Sequence, residues 1–378
     1  MIPYGRHIID EDDIRAVAEV LRSGWLTTGP KVQEFEQLFA KRVGAKEGVA
    51  ISSGTAALHA AMYALKVGPG DEVIVPAMTF AASANCVVFQ GANPVIVDVD
   101  PETLLIDPHL VREQITSRTK ALIAVDYAGH PADYDALKPL AEEHGIAVIA
   151  DACHALGASY NNRPVGSLAD LSTFSFHPVK HITTAEGGMI TTDDPQLAQR
   201  MRVFRNHGIT SDHHQRETQG SWFYEMVDLG YNYRLTDIQC ALGISQMRKL
   251  STWIKRRQAI ARRYDEFFDR MPCIRALTVK DNVVNSFHLY VIKIDFAELR
   301  TDRTTLFAKL RAEGIGVNVH YIPVHLHPFY QNNFGTGPGM CPIAEGVYEQ
   351  ILSLPMHAGM TDEDVETVCS TFQNVIEH

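Results

Sequence analysis

The chain has 378 residues, of which 46% are hydrophobic and 21% are charged, a composition typical of a soluble globular protein. Its formal net charge of −11 and its lack of any basic run argue against a nucleic-acid-binding protein. The sequence shows no signal peptide, no apolar stretch with the length of a membrane span, and six cysteines without a C-x-x-C pair. We expect a cytoplasmic protein with reduced thiols that binds neither nucleic acid nor a membrane.

Two helices are predicted before the first strand. Asp10 is a plausible N-cap for an acidic amphipathic helix that runs to about Ser23. A second helical pattern follows Gly29 and Pro30 and ends near Gly44.

From residue 48 to residue 151, short apolar runs alternate with helical patterns. The runs are predicted as buried strands, and they read GVAIS, EVIVP, PVIVDVD, KALIAVD and IAVIAD. The helical patterns between and after them lie near 55–66, 79–90, 107–116 and 133–144. This alternation favours an α/β fold with right-handed crossovers and a mainly parallel sheet that helices cover on both faces.

The pattern changes after this region. Strands over LSTFSF and GGMITT precede a helix at 194–206 and a long polar segment at 207–231. Two helices are expected after Arg234.

The C-terminal part has a different pattern of apolar residues. The runs VNSFHLYVIKID and GIGVNVHYIPV are predicted as strands on either side of a helix at 302–313. We place a domain boundary near residue 250, with a large domain over 1–250 and a smaller α+β domain over 251–378.

The segment SSGTAA, from Ser52 to Ala57, follows a predicted strand and opens a predicted helix. Free backbone N–H groups at a helix start bind anions, and small side chains allow a phosphate to approach closely. The same residues would also make an ordinary turn and cap. The motif by itself therefore leaves phosphate binding open.

Asp151 directly follows the apolar strand IAVIA. Ligands of open α/β sheets bind beyond the carboxyl ends of the strands, so an acid at this point faces the usual crevice. A helix N-cap is an equally plausible role for this aspartate on its own.

Lys180 lies in SFHPVKHITTAEGG, among apolar and hydroxyl side chains. Lysine is seldom buried without a task, and desolvation lowers its pKa, which frees the amine to condense with an aldehyde. Ser175, five residues earlier, could add a hydroxyl to the same phosphate. A surface lysine on a loop is the alternative interpretation.

The three features together indicate a pyridoxal-5′-phosphate (PLP) site. An anion site at a helix start holds the phosphate, Asp151 keeps the pyridine nitrogen protonated, and Lys180 forms the Schiff base. The sequence contains neither a P-loop nor a G-x-G-x-x-G, so the rival nucleotide cofactors lack their fingerprints.

The order of the motifs resembles a known family. SSGTAA, PAMTFAASAN, DACHALGA, SFHPVKHITTAEGG and GYNYRLTDIQCALG occur in the order typical of DegT-type sugar aminotransferases of PLP fold type I. Four details of the sequence, DYAG, HALG, SFHPVKHITTAEGG and HYIPVHLHPFYQ, resemble most closely the branch that aminates C4 of a UDP-sugar in pseudaminic acid biosynthesis. The resemblance covers essentially the whole chain. Some members carry His in place of the lysine and act as dehydratases, so Lys180 favours the aminotransferase branch.

The resemblance implies roles for individual residues. The catalytic pair would be Lys180 and Asp151. The remaining cofactor contacts would come from Gly54, Thr55, Ala56, Phe80, His154, Ser175 and Asn232. Phe80 would stack on one face of the ring, while His154 would lie close to the ring.

The resemblance also implies a homodimer with shared active sites. Asn232 would reach the cofactor phosphate of the other subunit, so one chain could not complete its own pocket. Arg234 and Tyr321 are candidates for substrate binding or for the interface.

Three histidines, His320, His325 and His327, fall within eight positions. They could ligate a metal, but no acidic or cysteine partner is near them in sequence and PLP chemistry needs no metal. We therefore expect no metal site and interpret this stretch as a loop at the edge of the substrate site.

The expected reaction has two substrates, L-glutamate as amino donor and a UDP-4-keto-6-deoxy sugar as acceptor. One rival is the same fold acting at C3 or on a dTDP-sugar. Another is a regulator that binds PLP without turnover, which would need an attached DNA-binding module for which these residues leave no room.

Overall fold

A computed structural model describes residues 1–211, 213–218 and 220–377. The strands are β1 Glu47–Ile51, β2 Glu72–Pro76, β3 Asn93–Val97, β4 Thr119–Val125, β5 Ala147–Asp151, β6 Ser159–Tyr160, β7 Arg163–Pro164, β8 Leu171–Ser175, β9 Gly188–Thr192, β10 Ile274–Ala276, β11 Val283–Val284, β12 Tyr290–Ile294 and β13 Ile351–Leu354. The helices are α1 Glu11–Leu21, α2 Pro30–Val43, α3 Gly54–Ala64, α4 Ala82–Phe89, α5 Pro108–Gln114, α6 Tyr134–His144, α7 Pro195–Phe204, α8 His213–Thr218, α9 Asp237–Phe268, α10 Arg303–Ala312, α11 Pro328–Phe334, α12 Pro342–Tyr348 and α13 Asp362–Glu377.

The large sheet has seven strands in the order β1-β9-β8-β5-β4-β2-β3. The four pairs from β8 to β3 are parallel, whereas β9 runs antiparallel to both of its neighbours. Two small antiparallel sheets, β10-β12-β13 and β11-β6-β7, complete the strand pairing. The predicted α/β fold with a mainly parallel sheet is confirmed.

Helices cover both faces of the large sheet because its strands are apolar on both sides. In β4, Ile123 faces a core formed with α3, α4 and α7, and Leu122 faces a second core formed with α2, α6 and the first half of α9. The alternation of side chains along a strand produces this division. The near-continuous apolar runs of the sequence therefore belong to strands that are buried on both faces.

A third core lies in the C-terminal part. It is formed by the second half of α9, by β10, β12 and β13, and by α10 and α13, with Tyr264 and Phe372 among its buried side chains. The boundary near residue 250 stays a prediction. That position falls inside α9, which contributes to two of the three cores.

The prediction of two helices after Arg234 is wrong, because α9 is one helix of 32 residues. Gly243 lies inside this helix and allows α9 to pack closely on α2, since a Cβ at this position would lie 2.6 Å from the Phe35 ring.

The prediction of a strand over 314–324 is also wrong. The backbone of this stretch bonds to three different segments instead of to one strand: the Gly316 N–H donates to the Ile2 carbonyl, the Asn318 N–H to Ser353, and the Val324 N–H to Ala77. A strand needs consecutive hydrogen bonds to one neighbouring segment, and these three partners lie in separate segments. The first half of VNSFHLYVIKID is likewise outside a strand apart from Val284 in β11, because β12 begins only at Tyr290.

Other expectations hold closely. Asp10 caps α1 and forms a capping box with Asp13. The five predicted strands between residues 48 and 151 correspond to β1–β5. None of the helices in the described ranges is both long and apolar enough to cross a membrane.

Candidate active site

A cavity of about 430 Å³ opens at the carboxyl ends of β5 and β8, next to the N-terminus of α3. This is the edge at which open α/β sheets bind ligands. The cavity brings together eight residues that the sequence singled out, which are Gly54, Thr55, Phe80, Asp151, His154, Ser175, Lys180 and Tyr321.

The start of α3 forms one end of the cavity. Ser53 caps the helix, and its Oγ accepts from the Ala56 N–H at 3.1 Å. The N–H groups of Gly54 and Thr55 have no acceptor among the described residues, so they are the donors left for an anion. A Cβ on Gly54 would lie only 2.9 Å from Ser175 Cβ, so glycine is what lets β8 approach the helix start.

The carboxylate of Asp151 is held at the end of β5 by residues of the same chain. Its Oδ2 accepts from Ser83 Oγ at 2.7 Å, and its Oδ1 accepts from the Cys153 N–H at 3.3 Å. Asp151 is only 7% exposed, and no cationic side chain of the described residues lies within 4.0 Å of it. A buried carboxylate without a cation is costly, so this arrangement suits a positively charged ligand atom.

Lys180 lies on the loop that follows β8, and its side chain is partly buried. Burial lowers the pKa of its amine, although the charges of Cys153 and Asp151 oppose that effect. The Nζ atom is 3.5 Å from His288 Nε2. A lysine in this setting loses its proton more readily than an exposed one.

His154 and Tyr321 contact each other in the lining of the same cavity. Tyr321 OH lies 3.0 Å from His154 Nε2, and His154 Nδ1 accepts from the Ala128 N–H at 3.4 Å. Burial, followed by the nearby charge of Lys180, holds the pKa of His154 well below its ordinary value, so the ring is neutral. Phe80 is exposed at the mouth, with its ring centroid 5.8 Å from that of Tyr321.

This set of donors fits PLP. The glycine-lined helix start would bind the phosphate, with Ser175 beside it. The Asp151 carboxylate, which has no cationic partner, would bind the pyridinium nitrogen. Lys180 would supply the amine that bonds to the aldehyde.

Three residues predicted to bind cofactor or substrate do not line the cavity, namely Ala56, Asn232 and Arg234. The Ala56 N–H is bonded to Ser53 Oγ, so its contact with a phosphate stays a prediction, and the other two residues belong to a separate segment. Asn232 is exposed and forms an isolated antiparallel bridge with Asn206, whose side chain accepts from Arg234 at 2.9 Å. Arg234 lines a different cavity of about 820 Å³ beside α2 and α7. Within one chain neither Asn232 nor Arg234 contacts the Lys180 cavity, so their roles stay predictions about a second subunit.

The three histidines of the 320–327 stretch separate in the structure. His320 lines the cavity and its Nδ1 is 2.8 Å from Ser353 Oγ, while His325 Nε2 is 2.8 Å from Glu345 Oε1. This acidic partner could not be found from the spacing of the residues, because Glu345 lies 20 positions after His325. Within the described ranges, no group of three His, Cys, Asp or Glu side chains has the arrangement of a metal site.

Three residues of the site were missed from the sequence. Tyr4 and His288 line the cavity, and Ser83 is buried and donates to Asp151. Ser83 stands in the quoted motif PAMTFAASAN, four positions after Thr79, with which it shares a 2.7 Å hydrogen bond. His288 lies in VNSFHLYVIKID, which the sequence predicted as a strand, and Tyr4 is far in sequence from the motifs that predicted the site.

The family model of the "DegT/DnrJ/EryC1/StrS aminotransferase family" matches residues 7–373. The chain is 42% identical to the Bacillus subtilis spore coat polysaccharide biosynthesis protein SpsC, over 100% of this chain and 97% of that protein.

Solved structures agree with this assignment. A putative sugar aminotransferase from Streptococcus pneumoniae, in its pyridoxamine phosphate (PMP) form, is 37% identical and superposes with a TM-score of 0.94, covering 100% of this chain and 99% of that one. The same protein is also known in a PLP form. Helicobacter pylori PseC, an aminotransferase of pseudaminic acid biosynthesis, is 33% identical with a TM-score of 0.92 over 100% and 99% of the two chains. The chain belongs to the DegT/DnrJ/EryC1/StrS aminotransferase family and is a PLP-dependent sugar aminotransferase.

Proposed function

We propose that this enzyme transfers the amino group of L-glutamate to C4 of a UDP-linked 4-keto-6-deoxy-N-acetylhexosamine. The product would be UDP-4-amino-4,6-dideoxy-N-acetyl-β-L-altrosamine, in pseudaminic acid biosynthesis. The proposal rests on the cavity in which an amine, a strand-end carboxylate and an anion-binding helix start face one another. The motifs DYAG, HALG and HYIPVHLHPFYQ and the likeness to PseC support the choice of sugar.

Lys180 performs two tasks in the proposed reaction. When bound, PLP supplies an aldehyde carbon that carries the amino group and a ring that accepts electrons from a deprotonated carbon. The Lys180 amine holds that aldehyde in the resting enzyme. When it is not bonded to the cofactor, this amine would serve as the base that moves the proton from the glutamate Cα. Burial lowers the pKa of this amine, which raises the fraction that is free to accept a proton.

Asp151 and the start of α3 hold the cofactor in place for this proton transfer. The negative charge of Asp151 would keep a proton on the pyridine nitrogen. Ser83 and the Cys153 N–H fix the orientation of this carboxylate. The N–H groups of Gly54 and Thr55 bind the phosphate from the other end. His154 would lie against the ring as a neutral aromatic partner.

A second copy of the chain would complete the active site. We propose a homodimer in which Asn232 of each chain donates to the phosphate held by the other, with Arg234 near the same boundary. Asn232 is exposed and does not line the cavity of its own chain, and both observations support this arrangement.

A second candidate substrate is another nucleotide-linked keto-sugar, aminated at C3 or carried by dTDP. The B. subtilis relative, at 42% identity, is named for spore coat polysaccharide biosynthesis. That name supports retaining a different sugar as the second candidate. The two candidates share every step at Lys180 and differ only in the sugar and the base.

A substrate panel distinguishes these candidates. UDP- and dTDP-linked 4-keto and 3-keto sugars are incubated with L-glutamate, and the amino sugar is detected by mass spectrometry. We expect the highest kcat/KM with the UDP-4-keto-6-deoxy-N-acetyl sugar. A higher value for any other member replaces the sugar assignment but leaves amino transfer in place.

Reductive trapping tests the role of Lys180 separately. Borohydride treatment of the holoenzyme, followed by peptide mapping, should place the pyridoxyl group on Lys180. A label on another lysine, or on none, would overturn the proposed site.

A further inference from the structure

His288 is buried beside Lys180 and has no task in the proposed reaction. Its side chain is 4% exposed, its Nε2 is 3.5 Å from Lys180 Nζ, and its Nδ1 has no hydrogen-bond partner among the described residues. A buried polar atom without a partner costs free energy that an apolar ring of similar size would avoid. The His288 ring also packs against the rings of His154 and His181, with centroids 4.3 and 5.5 Å away, but an apolar ring could make those contacts. The contact of Nε2 with Lys180 is one that needs a ring nitrogen.

The imidazole of His288 is neutral in this environment. Burial, followed by the charge of Lys180 and the nearby His154, His181 and Arg257, holds its pKa well below the ordinary value. A neutral imidazole carries one N–H and one lone pair. Nε2 can therefore donate to a Lys180 NH₂ group or accept from a Lys180 NH₃⁺ group, whereas a carboxylate at this place would favour only the ammonium.

The backbone around His288 is fixed from two sides. The Ser286 N–H donates to the Gly129 carbonyl at 3.2 Å, and Arg257 Nη1 donates to the carbonyls of Phe287 and His288 at 3.0 and 3.3 Å. Phe287 has a φ of 48°, in the left-handed region that a residue with a Cβ adopts only at a cost. The surrounding bonds impose this conformation, and it sets the direction of the next side chain.

We propose that His288 is a positioning residue for Lys180. Its Nε2 holds the Lys180 amine at the cavity whenever that amine is not bonded to the cofactor, in both protonation states of the amine. This inference rests on the proposed function, because it takes Lys180 as the amine that reacts. The physical reason is that a lysine side chain has four rotatable bonds, and a fixed partner reduces the number of positions its amine samples before reaction.

The test uses the full-length apo-enzyme and separates cofactor binding from covalent capture. Pyridoxine 5′-phosphate has no aldehyde, so its dissociation constant reports only on the phosphate and ring contacts. PLP then measures capture: the Lys180 nitrogen forms a bond to the aldehyde carbon, and the aldehyde oxygen leaves as water with two protons. The rate of capture is followed by absorbance.

His288→Phe keeps the size and burial of the ring but removes the hydrogen bond. We expect this variant to capture PLP roughly tenfold more slowly, with the dissociation constant of pyridoxine 5′-phosphate changed less than about twofold. His288→Gln, whose amide can donate or accept, should recover most of the wild-type rate. The matched control is His357→Phe, because His357 is also buried with unpaired ring nitrogens but does not contact Lys180. It should capture PLP like the wild type.

Two results would overturn the inference: wild-type capture by His288→Phe, or His288→Gln as slow as His288→Phe. Binding of pyridoxine 5′-phosphate shows that each variant is folded, and His288→Met replaces the phenylalanine variant under the same criteria if that one does not bind. Peptide mapping of the wild type shows first whether Lys180 captures PLP. Failure of the proposed site is thereby distinguished from failure of the role given to His288.

Discussion

The side chains of the Lys180 cavity and those of the segment from residue 222 to residue 231 differ in burial and in bonding. In the cavity, the polar side chains of Asp151 and His154 bond to other groups of the same chain. In the segment, Trp222 and Leu229 are 86% and 70% exposed. The backbone of the segment is nevertheless held in place, for example by the bond from the Thr210 N–H to the Glu225 carbonyl.

This difference shows how much of the active site one chain builds by itself. A row of exposed apolar side chains on a fixed backbone is the usual form of a surface that another protein covers. The segment leads directly into Asn232, the residue proposed to reach a neighbouring phosphate. In the proposed dimer, each chain would form its own reacting groups and its partner would supply the remaining phosphate contact.

The largest expected effect comes from the carboxylate in the cavity. Asp151→Asn keeps the shape of the side chain but removes the charge that holds a proton on the pyridine nitrogen. Turnover should fall by about a hundredfold or more while PLP still binds, because the loss falls on the carbanion-like transition state. Steady-state kinetics and cofactor titration of the purified variant measure both quantities. Near-normal turnover would leave Asp151 with only a structural role.

The second prediction concerns the sharing of the two active sites. Lys180→Ala and Asn232→Ala should each be badly impaired alone, which is checked first. After mixing, partial unfolding and refolding, random pairing in a C2 dimer should restore up to about a quarter of wild-type activity, because each mixed dimer holds one intact pocket. Proven subunit exchange without recovery would show that each pocket belongs to a single chain.

The third prediction tests the 222–231 segment with a matched pair of phenylalanines. Phe223 is 56% exposed within the segment, and Phe329 is 50% exposed on α11. Phe223→Ser should weaken dimerisation roughly tenfold, because aromatic side chains near an interface centre carry much of the binding energy. Phe329→Ser should leave the dimer unchanged. Sedimentation equilibrium measures both, and equal effects of the two substitutions would place the interface elsewhere.

The large sheet was predictable because its strands and helices differ clearly in period and length. Five apolar runs became β1–β5, and Asp151, Ser175 and Lys180 meet because the carboxyl ends of parallel strands share one edge. The meeting of these residues can be predicted from the order of strands and helices alone.

The rest of the site depends on contacts between distant segments. His288 belongs to a stretch that alternates like a strand, but tertiary bonds to Gly129 and Arg257 prevent a strand before Tyr290. The stretch 314–324 fails as a strand for the same reason, because its hydrogen bonds go to three separate neighbours. Periodicity describes local preference and carries no information about such competition.

The smallest expected effect is the pH at which Lys180 reacts in the apo-protein. Burial lowers the pKa of its amine below the usual 10.5, and the charge of Asp151 opposes that effect. Only a neutral amine reacts with cyanate, and the neutral fraction is lost as the pH falls through the pKa. Carbamylation of Lys180 should therefore level off at a lower pH than carbamylation of a free lysine peptide. In Asp151→Asn the midpoint should fall further, because the ammonium loses a favourable neighbour. Mass spectrometry of the Lys180 peptide over a pH series measures these midpoints. A Lys180 midpoint at or above that of the free peptide would show that the cavity leaves this amine as basic as a solvated one.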